Sequence, residues 1–308
     1  MAQANRITRF GADIDLVSRR LQQFFALTKP RVVSLIIFTA VIGMLLAAPG
    51  MVALQPLLAA TIGIALVAGA AAATNHVLER KPDALMARTR ARPLPAGRID
   101  PTEAALFALA IGATGLTLLY VLVNPLTMWL TLATFVGYGI IYTLILKPRT
   151  PQNIVLGGAA GAMPPVLGWT AVTGEVSADA LLLFLIIFVW TPPHFWSLAL
   201  YRREDYERAG IPMLPVTHGE PETRKRILLY TLVLVPVTLL LLPLRAVGLV
   251  YAIPAAGLGA VFIVEAWRLW RSGQITRAPA LFRFSILYLF ALYSLLAVDA
   301  LLRGATRA

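Results

Sequence analysis

The feature that most constrains this chain is a series of nine long, continuous apolar runs. Each is close to the ~20 residues that an α-helix needs to cross the hydrocarbon of a bilayer. A backbone inside lipid must satisfy its own hydrogen bonds, and the runs do not alternate as barrel strands do, so helices are favoured. We therefore predict an all-α, polytopic membrane protein with nine transmembrane helices. The runs cover residues 32–48, 54–78, 103–123, 125–146, 151–172, 178–200, 227–242, 247–269 and 281–302.

Composition and charge agree with this class. Hydrophobic residues make up 58% of the 308 residues and charged residues 14%, whereas about a quarter of an ordinary soluble domain is charged. The net charge of +12 is typical of orientation at an anionic membrane face, so we expect the lipid bilayer, and no nucleic acid, as a partner. The absence of cysteine excludes disulfides, thiolate nucleophiles and cysteine-ligated metal sites.

The distribution of basic residues predicts the orientation. All but three of the 27 lysines and arginines lie before the first run, or in and beside the connections after the second, fourth, sixth and eighth runs. The positive-inside rule then predicts a cytoplasmic N-terminus and an outside C-terminus in a bacterial-type inner membrane. Two cytoplasmic connections are long, about residues 79–102 and 201–226. Long polar loops are often functional, so we expect the chemistry at the ends of the second and sixth runs.

Residues 1–31 form a separate cytoplasmic segment, and residues 32–308 a single transmembrane domain. The apolar residues of the segment recur at helical spacing, which predicts a short amphipathic helix on the membrane surface. These residues are Ile14, Val17, Leu21 and Phe24, beside Arg19 and Arg20.

The second run ends in three oxygen-bearing side chains. Asn75, Glu79 and Asp83 are four residues apart, so on a continuous helix they form one stripe. Such ligands suit Mg²⁺, which takes a few carboxylates together with phosphate oxygens of a substrate. An ordinary solvated helix end is the alternative. Pro82 allows the helix to bend before Asp83, because proline removes a helical hydrogen bond.

A basic, proline-rich loop follows this stripe. Arg88, Arg90, Arg92 and Arg98 lie close together in it. Arginine forms forked contacts with phosphate, so the carboxylates and this loop together suggest a metal-bridged diphosphate. For any single arginine, an orienting role in a cytoplasmic loop is the alternative.

A second polar cluster ends the sixth run. Pro192 and Pro193 predict a break in the helix, which at membrane depth is tolerated where it faces protein or a cavity. His194 follows, and an intramembrane histidine is a functional candidate by default. Beyond the run, Glu204 and Asp205 offer another carboxylate pair for a second or a shared cation.

Other polar residues are predicted at the same membrane face. Lys147 and Arg149 end the fourth run and are available to a leaving phosphate. The glycine-rich stretch 157–161 favours close helix packing. His76 and His218 are weaker candidates for ligands.

Four stretches of this sequence resemble the UbiA superfamily of intramembrane prenyltransferases. Together they are typical of the branch that acts on haem rather than of the quinone branches, and the resemblance covers nearly the whole chain after about Leu27. It implies nine helices around a central cavity that opens to lipid. The stretches are 83–95 (DALMARTRARPLP), 149–165 (RTPQNIVLGGAAGAMPP), 190–196 (WTPPHFW) and 205–216 (DYERAGIPMLPV).

The resemblance also implies a reaction. The farnesyl group of farnesyl diphosphate joins a vinyl group of haem B, and water completes the substituent, giving haem O and diphosphate. The first acidic motif of the family maps onto the Asn75 stripe, the second region onto residues 201–205, and Mg²⁺ is the implied cofactor. Many members carry aspartate at the position of Glu79 and an extra acid at that of Lys81, which affects the expected number of metal ions.

These considerations assign roles to residues. The cations neutralise the leaving diphosphate. His194 binds the haem iron or a propionate, or moves a proton, and aromatic faces stabilise the allylic cation. The predicted catalytic residues are Asn75, Glu79, Asp83, Lys147 and Asp205, all but Lys147 being metal ligands; the substrate-binding residues are Arg88, Arg92, Tyr142, Arg149, Asn153, His194, Tyr201 and Arg202; the aromatic faces are Trp190, Phe195 and Trp196.

Three other functions fit the same features. The first is a prenyltransferase of this fold that acts on an aromatic quinone precursor. The second is a transporter, because broken helices also mark transport sites. The third is a non-catalytic carrier that delivers haem to an oxidase. For the enzyme, the expected partners are farnesyl diphosphate, haem B, the bilayer, and a downstream haem A synthase or terminal oxidase assembly.

Overall fold

The computed structural model describes residues 17–48, 50–244 and 246–305, and within these ranges the chain is helical and contains no strand. Among the described residues, nine long helices, called spans one to nine, match the nine predicted runs. The predicted all-α, nine-helix membrane fold is therefore confirmed. The spans are Pro30–Ala47, Leu54–Leu78, Pro101–Leu122, Pro125–Arg149, Asn153–Thr173, Ala178–Tyr201, Gly219–Leu239, Leu249–Ser272 and Ala278–Ala305.

Span seven differs most from its predicted bounds. In the described part of the chain, eight helices are long and apolar enough to cross a bilayer. Span seven is the other long helix, and it begins with a polar turn, eight residues before the predicted start at residue 227. This turn is helical because its acidic residues lie near the positive end of the helix dipole and Glu222 pairs with Arg226 one turn later, at 2.8 Å. The helix ends at Leu239, and a turn replaces the predicted last residues.

The spans form a closed ring, because span nine packs back against span one. Phe38 and Phe290 stack there with ring centroids 4.8 Å apart. Spans one and five approach most closely at Gly43 and Gly168, where an added Cβ atom would overlap the backbone of the other helix. Small residues allow such close packing in a membrane, where dispersion contacts hold helices together.

The predicted break in span six is wrong. Pro192 and Pro193 lie inside one continuous helix, Ala178–Tyr201. The side chains of neighbouring residues supply hydrogen bonds to the backbone of this region: Thr191 Oγ1 donates to the Ile187 carbonyl at 2.7 Å, and Ser197 Oγ donates to the Pro193 carbonyl at 2.6 Å. The prolines remove the helical donors of the Phe188 and Val189 carbonyls, which these two hydroxyl bonds do not replace, so packing by neighbouring helices is what allows the prolines within span six.

Short helices flank the spans at the face where spans two, four, six and eight end, which we call the site face. A helix over residues 17–27 precedes span one, and Leu27 is buried while Phe24 packs on Phe107 of span three, with centroids 5.1 Å apart. Ile14 lies outside the described residues. The two long loops contain the helices Arg80–Leu85, Arg203–Arg208 and Leu214–Thr217.

Candidate active site

Asn75, Glu79 and Asp83 form a buried row at the end of span two. Glu79 N donates to the Asn75 carbonyl at 2.9 Å, and Asp83 N to the Glu79 carbonyl at 2.8 Å, so the predicted helical register is kept. Span two ends at Leu78, and the helix Arg80–Leu85 continues beyond Glu79. The three residues of the row are 2%, 6% and 1% exposed. Buried carboxylates are costly unless they are paired, so their partners are decisive.

Each member of the row is paired with a cation from a different part of the chain. Lys147 Nζ, at the end of span four, lies 2.5 Å from Glu79 Oε1. Arg92 Nη1, in the proline-rich loop, lies 2.7 Å from Asp83 Oδ2. Two members of the row, Glu79 and Asp83, are therefore joined by ion pairs to two further predicted site residues, Lys147 and Arg92, at one end of the bundle.

The third cation is Lys29, which the sequence analysis did not single out. Its Nζ donates to Asn75 Oδ1 at 2.6 Å and lies 3.3 Å from the Tyr138 hydroxyl. Its backbone is left-handed, with φ 50°, a conformation that lysine rarely adopts and that often marks functional positions. Burial lowers the pKa of the Lys29 ammonium to about 7, and the charge of Arg92 adds to this lowering. The sequence signal for Lys29 was its position beside Pro30, just before the first apolar run begins at residue 32.

A π-helical segment of span four, Val136–Leu146, positions the tyrosines beside the row. Tyr138 and Tyr142 stack with centroids 5.7 Å apart, and Asn75 Nδ2 donates to Thr143 Oγ1 at 3.0 Å. The predicted site residue Tyr142 packs directly on Gly157 of span five, where an added Cβ would overlap its ring. Segments of π-helix often occur at functional sites.

Asp205 connects the second polar region to the arginine loop. Its carboxylate lies 2.7 Å from Arg208 Nη2 and 3.8 Å from Arg202 Nη1. Asp205 Oδ1 also accepts a long hydrogen bond, 3.4 Å, from the backbone of Ala87. Ala87 is four residues from Asp83, so the two acidic regions predicted from the sequence are neighbours.

Among the predicted substrate-binding residues, Arg88 and Arg149 are exposed. Arg88 is within electrostatic range of both Tyr142 and Tyr201. Asn153 is fully buried, and its Nδ2 donates to the Thr150 carbonyl at 2.7 Å, which joins spans four and five. Their roles toward a substrate remain predictions.

His194 lies deeper in the bundle, between two aromatic rings. It stacks on Trp190 at 4.3 Å and on Phe282 of span nine at 4.6 Å. Phe195 contacts it edge-on at 5.0 Å. Trp196, in contrast, is fully buried against Tyr230 of span seven. Residues two positions apart on a helix face different ways, so Trp196 does not share the surroundings of His194, and its role at an allylic cation stays a prediction.

The donors of the acidic row suit Mg²⁺. An amide oxygen and two carboxylates are hard ligands, and Mg²⁺ commonly uses one or two carboxylates together with substrate phosphates. These oxygens already bind positively charged nitrogens, which shows that the row attracts cations. In the described ranges, no group of three or more His, Asp or Glu is placed to hold a metal ion. By donor type, Asn75, Glu79 and Asp83 fit Mg²⁺, because this ion usually completes its coordination with waters and substrate phosphates.

The chain matches the UbiA prenyltransferase family over residues 36–295. A similar relative is the protoheme IX farnesyltransferase of Aromatoleum aromaticum, 62% identical over 288 residues, which are 93% of this chain and 95% of the relative. The protein of the same name from Nitrosospira multiformis is 61% identical over 284 residues, 92% of this chain and 95% of the relative.

Solved structures share the fold at low sequence identity. A digeranylgeranylglyceryl phosphate synthase superposes with a TM-score of 0.77 at 18% identity, over 92% of this chain and 99% of that protein. A UbiA homologue from Archaeoglobus fulgidus bound to DMAPP and Mg²⁺ superposes with a TM-score of 0.63 at 18% identity, over 88% of this chain and 99% of that protein.

Proposed function

The chain belongs to the UbiA prenyltransferase family, and from this premise we propose that it transfers the farnesyl group of farnesyl diphosphate to a vinyl group of haem B. Diphosphate leaves as the farnesyl C1–O bond breaks, and water then adds to the carbocation formed at the vinyl group and loses a proton, which gives haem O. The protein is a multi-pass membrane prenyltransferase. The choice of acceptor is supported by relatives about 60% identical over more than nine tenths of the chain, which carry the name protoheme IX farnesyltransferase.

The observation that carries the proposal is the convergence of cations on the acidic row. Lys29, Arg92 and Lys147 come from the start of span one, the arginine loop and the end of span four, and their nitrogens lie 2.5–2.7 Å from the oxygens of the row. A diphosphate is a polyanion that needs such charges when it leaves. Preorganised charges of this kind commonly supply the largest part of catalysis.

Mg²⁺ bound by Asn75, Glu79 and Asp83 would supply Lewis-acid stabilisation of the diphosphate oxygens. The other steps depend on side chains of the protein. As the bond between the farnesyl C1 atom and its oxygen breaks, Lys29, Lys147 and Arg92 release the row and pair with the diphosphate. The apolar spans exclude water from the allylic cation until it meets the vinyl group. The aromatic faces of Trp190 and Phe195, near His194, can stabilise that cation.

We also propose the orientation and the downstream partner. The basic connections favour a cytoplasmic N-terminus, which puts the site face on the side where farnesyl diphosphate and Mg²⁺ are present. Haem O remains in the membrane, and a haem A synthase or terminal oxidase assembly receives it. Asp205 contributes to the site by holding the arginine loop at Ala87, and it remains a proposed metal ligand.

The test is turnover by the purified protein in lipid nanodiscs with farnesyl diphosphate, haem B and Mg²⁺. Mass spectrometry should detect haem B that has gained a hydroxyethylfarnesyl substituent, and the product should disappear when Mg²⁺ is chelated. A parallel reaction supplies 4-hydroxybenzoate as acceptor. Prenylation of that acid but not of haem B would overturn the proposal in favour of the quinone-type enzyme.

A further inference from the structure

We propose that His194 binds the iron of haem B through its Nε2 atom, and that Ser285 holds the imidazole in the tautomer this requires. The inference rests on the proposed function and names the contact that recognises the acceptor. It comes from the hydrogen bonds of one serine in span nine.

The hydrogen bonds of Ser285 determine where the His194 proton lies. Ser285 Oγ is 2.7 Å from the Phe282 carbonyl and also 2.7 Å from His194 Nδ1. A carbonyl accepts only, and a serine hydroxyl has one proton. That proton is used on the carbonyl, so Ser285 must accept from His194, and Nδ1 is the protonated nitrogen. The lone pair of the uncharged ring is then on Nε2.

The surroundings of the ring leave only the Nε2 edge for a ligand. Trp190 and Phe282 cover its two faces, and Ser285 occupies Nδ1. Nε2 has no hydrogen-bond partner in the described part of the chain, yet it is not among the enclosed polar atoms that lack one. Although His194 is only 8% exposed, its Nε2 atom is therefore not fully enclosed by the protein. Histidine that ligates a metal almost always donates its other N–H to a protein oxygen, as His194 does.

The distance of His194 from the site face suits a flat, apolar acceptor that carries its charged groups along one edge. His194 lies seven residues before the end of span six, and Ser285 seven residues after the start of span nine. At 1.5 Å per residue, both are about 10 Å below the site face. Above them, the Arg202 guanidinium lies over the Tyr201 ring, 5.5 Å from its centroid, and Arg283 follows Phe282. These arginines suit the anionic propionates of a porphyrin whose iron lies at the level of His194.

The other two histidines provide controls. His76 is buried, and neither of its ring nitrogens has a partner among the described residues, so it is the rival ligand. His218 lies in an exposed loop, and its Nδ1 is 2.8 Å from Thr217 Oγ1. His218→Ala is therefore the matched control for loss of a histidine outside the bundle.

The experiment is a titration of the full-length protein in nanodiscs with ferric haem B, without farnesyl diphosphate, followed by absorption, EPR and resonance Raman spectroscopy. The wild type should show histidine ligation. His194→Ala should lose this signature and weaken haem binding at least about 10-fold, and added imidazole should restore the signature. Ser285→Ala should weaken binding about 10-fold, whereas Ser285→Thr, which keeps the hydroxyl, should stay near the wild type.

Three outcomes would overturn the inference: His194→Ala keeps the wild-type spectrum, His76→Ala rather than His194→Ala loses it, or the wild type binds metal-free protoporphyrin IX as tightly as haem B. The last comparison needs no variant and so does not depend on folding of a mutant. Turnover is measured on the same preparations. Turnover without His194-dependent ligation defeats this inference alone, and ligation without any farnesyl transfer defeats the proposed function alone.

Discussion

Each face of the bundle buries a carboxylate against a cation, but the two pairings are built differently. At the face opposite the site, Asp299 is 1% exposed, accepts the Gly248 N–H at 2.9 Å and pairs with Arg303, one turn away on its own helix, at 2.8 Å. At the site face, Glu79 pairs with Lys147 of another span. The Gly248 N–H and a cation on Asp299's own helix satisfy the carboxylate of Asp299. The partner of Glu79 lies on a separate segment, so it can leave Glu79 and pair with a substrate.

The comparison predicts that removing charge at the site face abolishes chemistry. Glu79→Gln should lower kcat by about 10²–10³-fold at saturating Mg²⁺, because a preorganised charge is lost. Lys147 would also remain buried without its partner. The measurement is farnesyl transfer to haem B, with monodispersity in detergent as the check on folding.

Glu175→Gln is the matched control, because Glu175 is exposed in the turn between spans five and six. It should keep wild-type turnover. Unchanged turnover by Glu79→Gln would show that Glu79 is not a metal ligand. The proposed difference between the two faces of the bundle would then be wrong.

Arg92→Ala should have the next largest effect. The variant leaves Asp83 buried without its 2.7 Å ion pair, and hydrogen bonds to charged groups contribute about 1.5–3 kcal/mol, so we expect a rise of about 10–100-fold in KM for farnesyl diphosphate. Arg90→Ala, in the same loop but exposed, should change KM less than about twofold. Equal effects of the two variants would mean that the loop acts by total charge alone.

Gly157→Ala tests the packing that holds Tyr142 in place. The new methyl group would overlap the Tyr142 ring. Overpacking typically lowers stability by about 1–3 kcal/mol, and because the ring must move aside, kcat of the folded protein should fall about 10-fold, equivalent to about 1.4 kcal/mol in the barrier. Gly161→Ala is the control, because an added Cβ there meets no atom within 4 Å. If Gly157→Ala and Gly161→Ala have the same turnover, the position of Tyr142 does not matter to catalysis.

Asp299→Ala should have the smallest effect on turnover and a large one on stability. Breaking a buried pair costs about 3–5 kcal/mol, so the thermal midpoint should fall clearly while the kcat of the folded protein stays within about twofold. Glu265→Ala breaks a more exposed pair with Arg268 and should change stability by less than about 1 kcal/mol. A loss of kcat in folded Asp299→Ala would show that both faces serve the reaction.

The sequence predicted the fold well because each span carries its own signal. Nine apolar runs and alternating basic connections need no knowledge of tertiary packing. The Asn75 stripe was also visible, because helical spacing is a local property and Pro82 altered it little. Helical spacing also explains why Trp196 and His194 point in different directions, since they are two positions apart on one helix.

What the sequence did not reveal depends on contacts between distant segments. Lys29 is 46 residues from Asn75 in the sequence. Because it lies in a basic segment, its charge is explained by the positive-inside rule and gives no sign of a site residue. Ser285 is one serine in an apolar run, and its hydrogen bond to His194 spans 91 residues. The π-helical part of span four was also not predicted, because its sequence, VGYGIIYTLIL, contains no proline and no charge that would mark a change of helical pitch.

The depth of His194 below the acidic row gives the two products different ways out. In the proposed binding mode, roughly two helical turns separate the acidic row, which would hold the diphosphate, from the rings around His194, which would contact the porphyrin. Diphosphate would then leave through the loops of the site face, while the farnesylated porphyrin would already lie at the depth of the acyl chains. The polar product would thus form near the loops and the apolar product within the bilayer, so the farnesylated porphyrin would not need to pass through water.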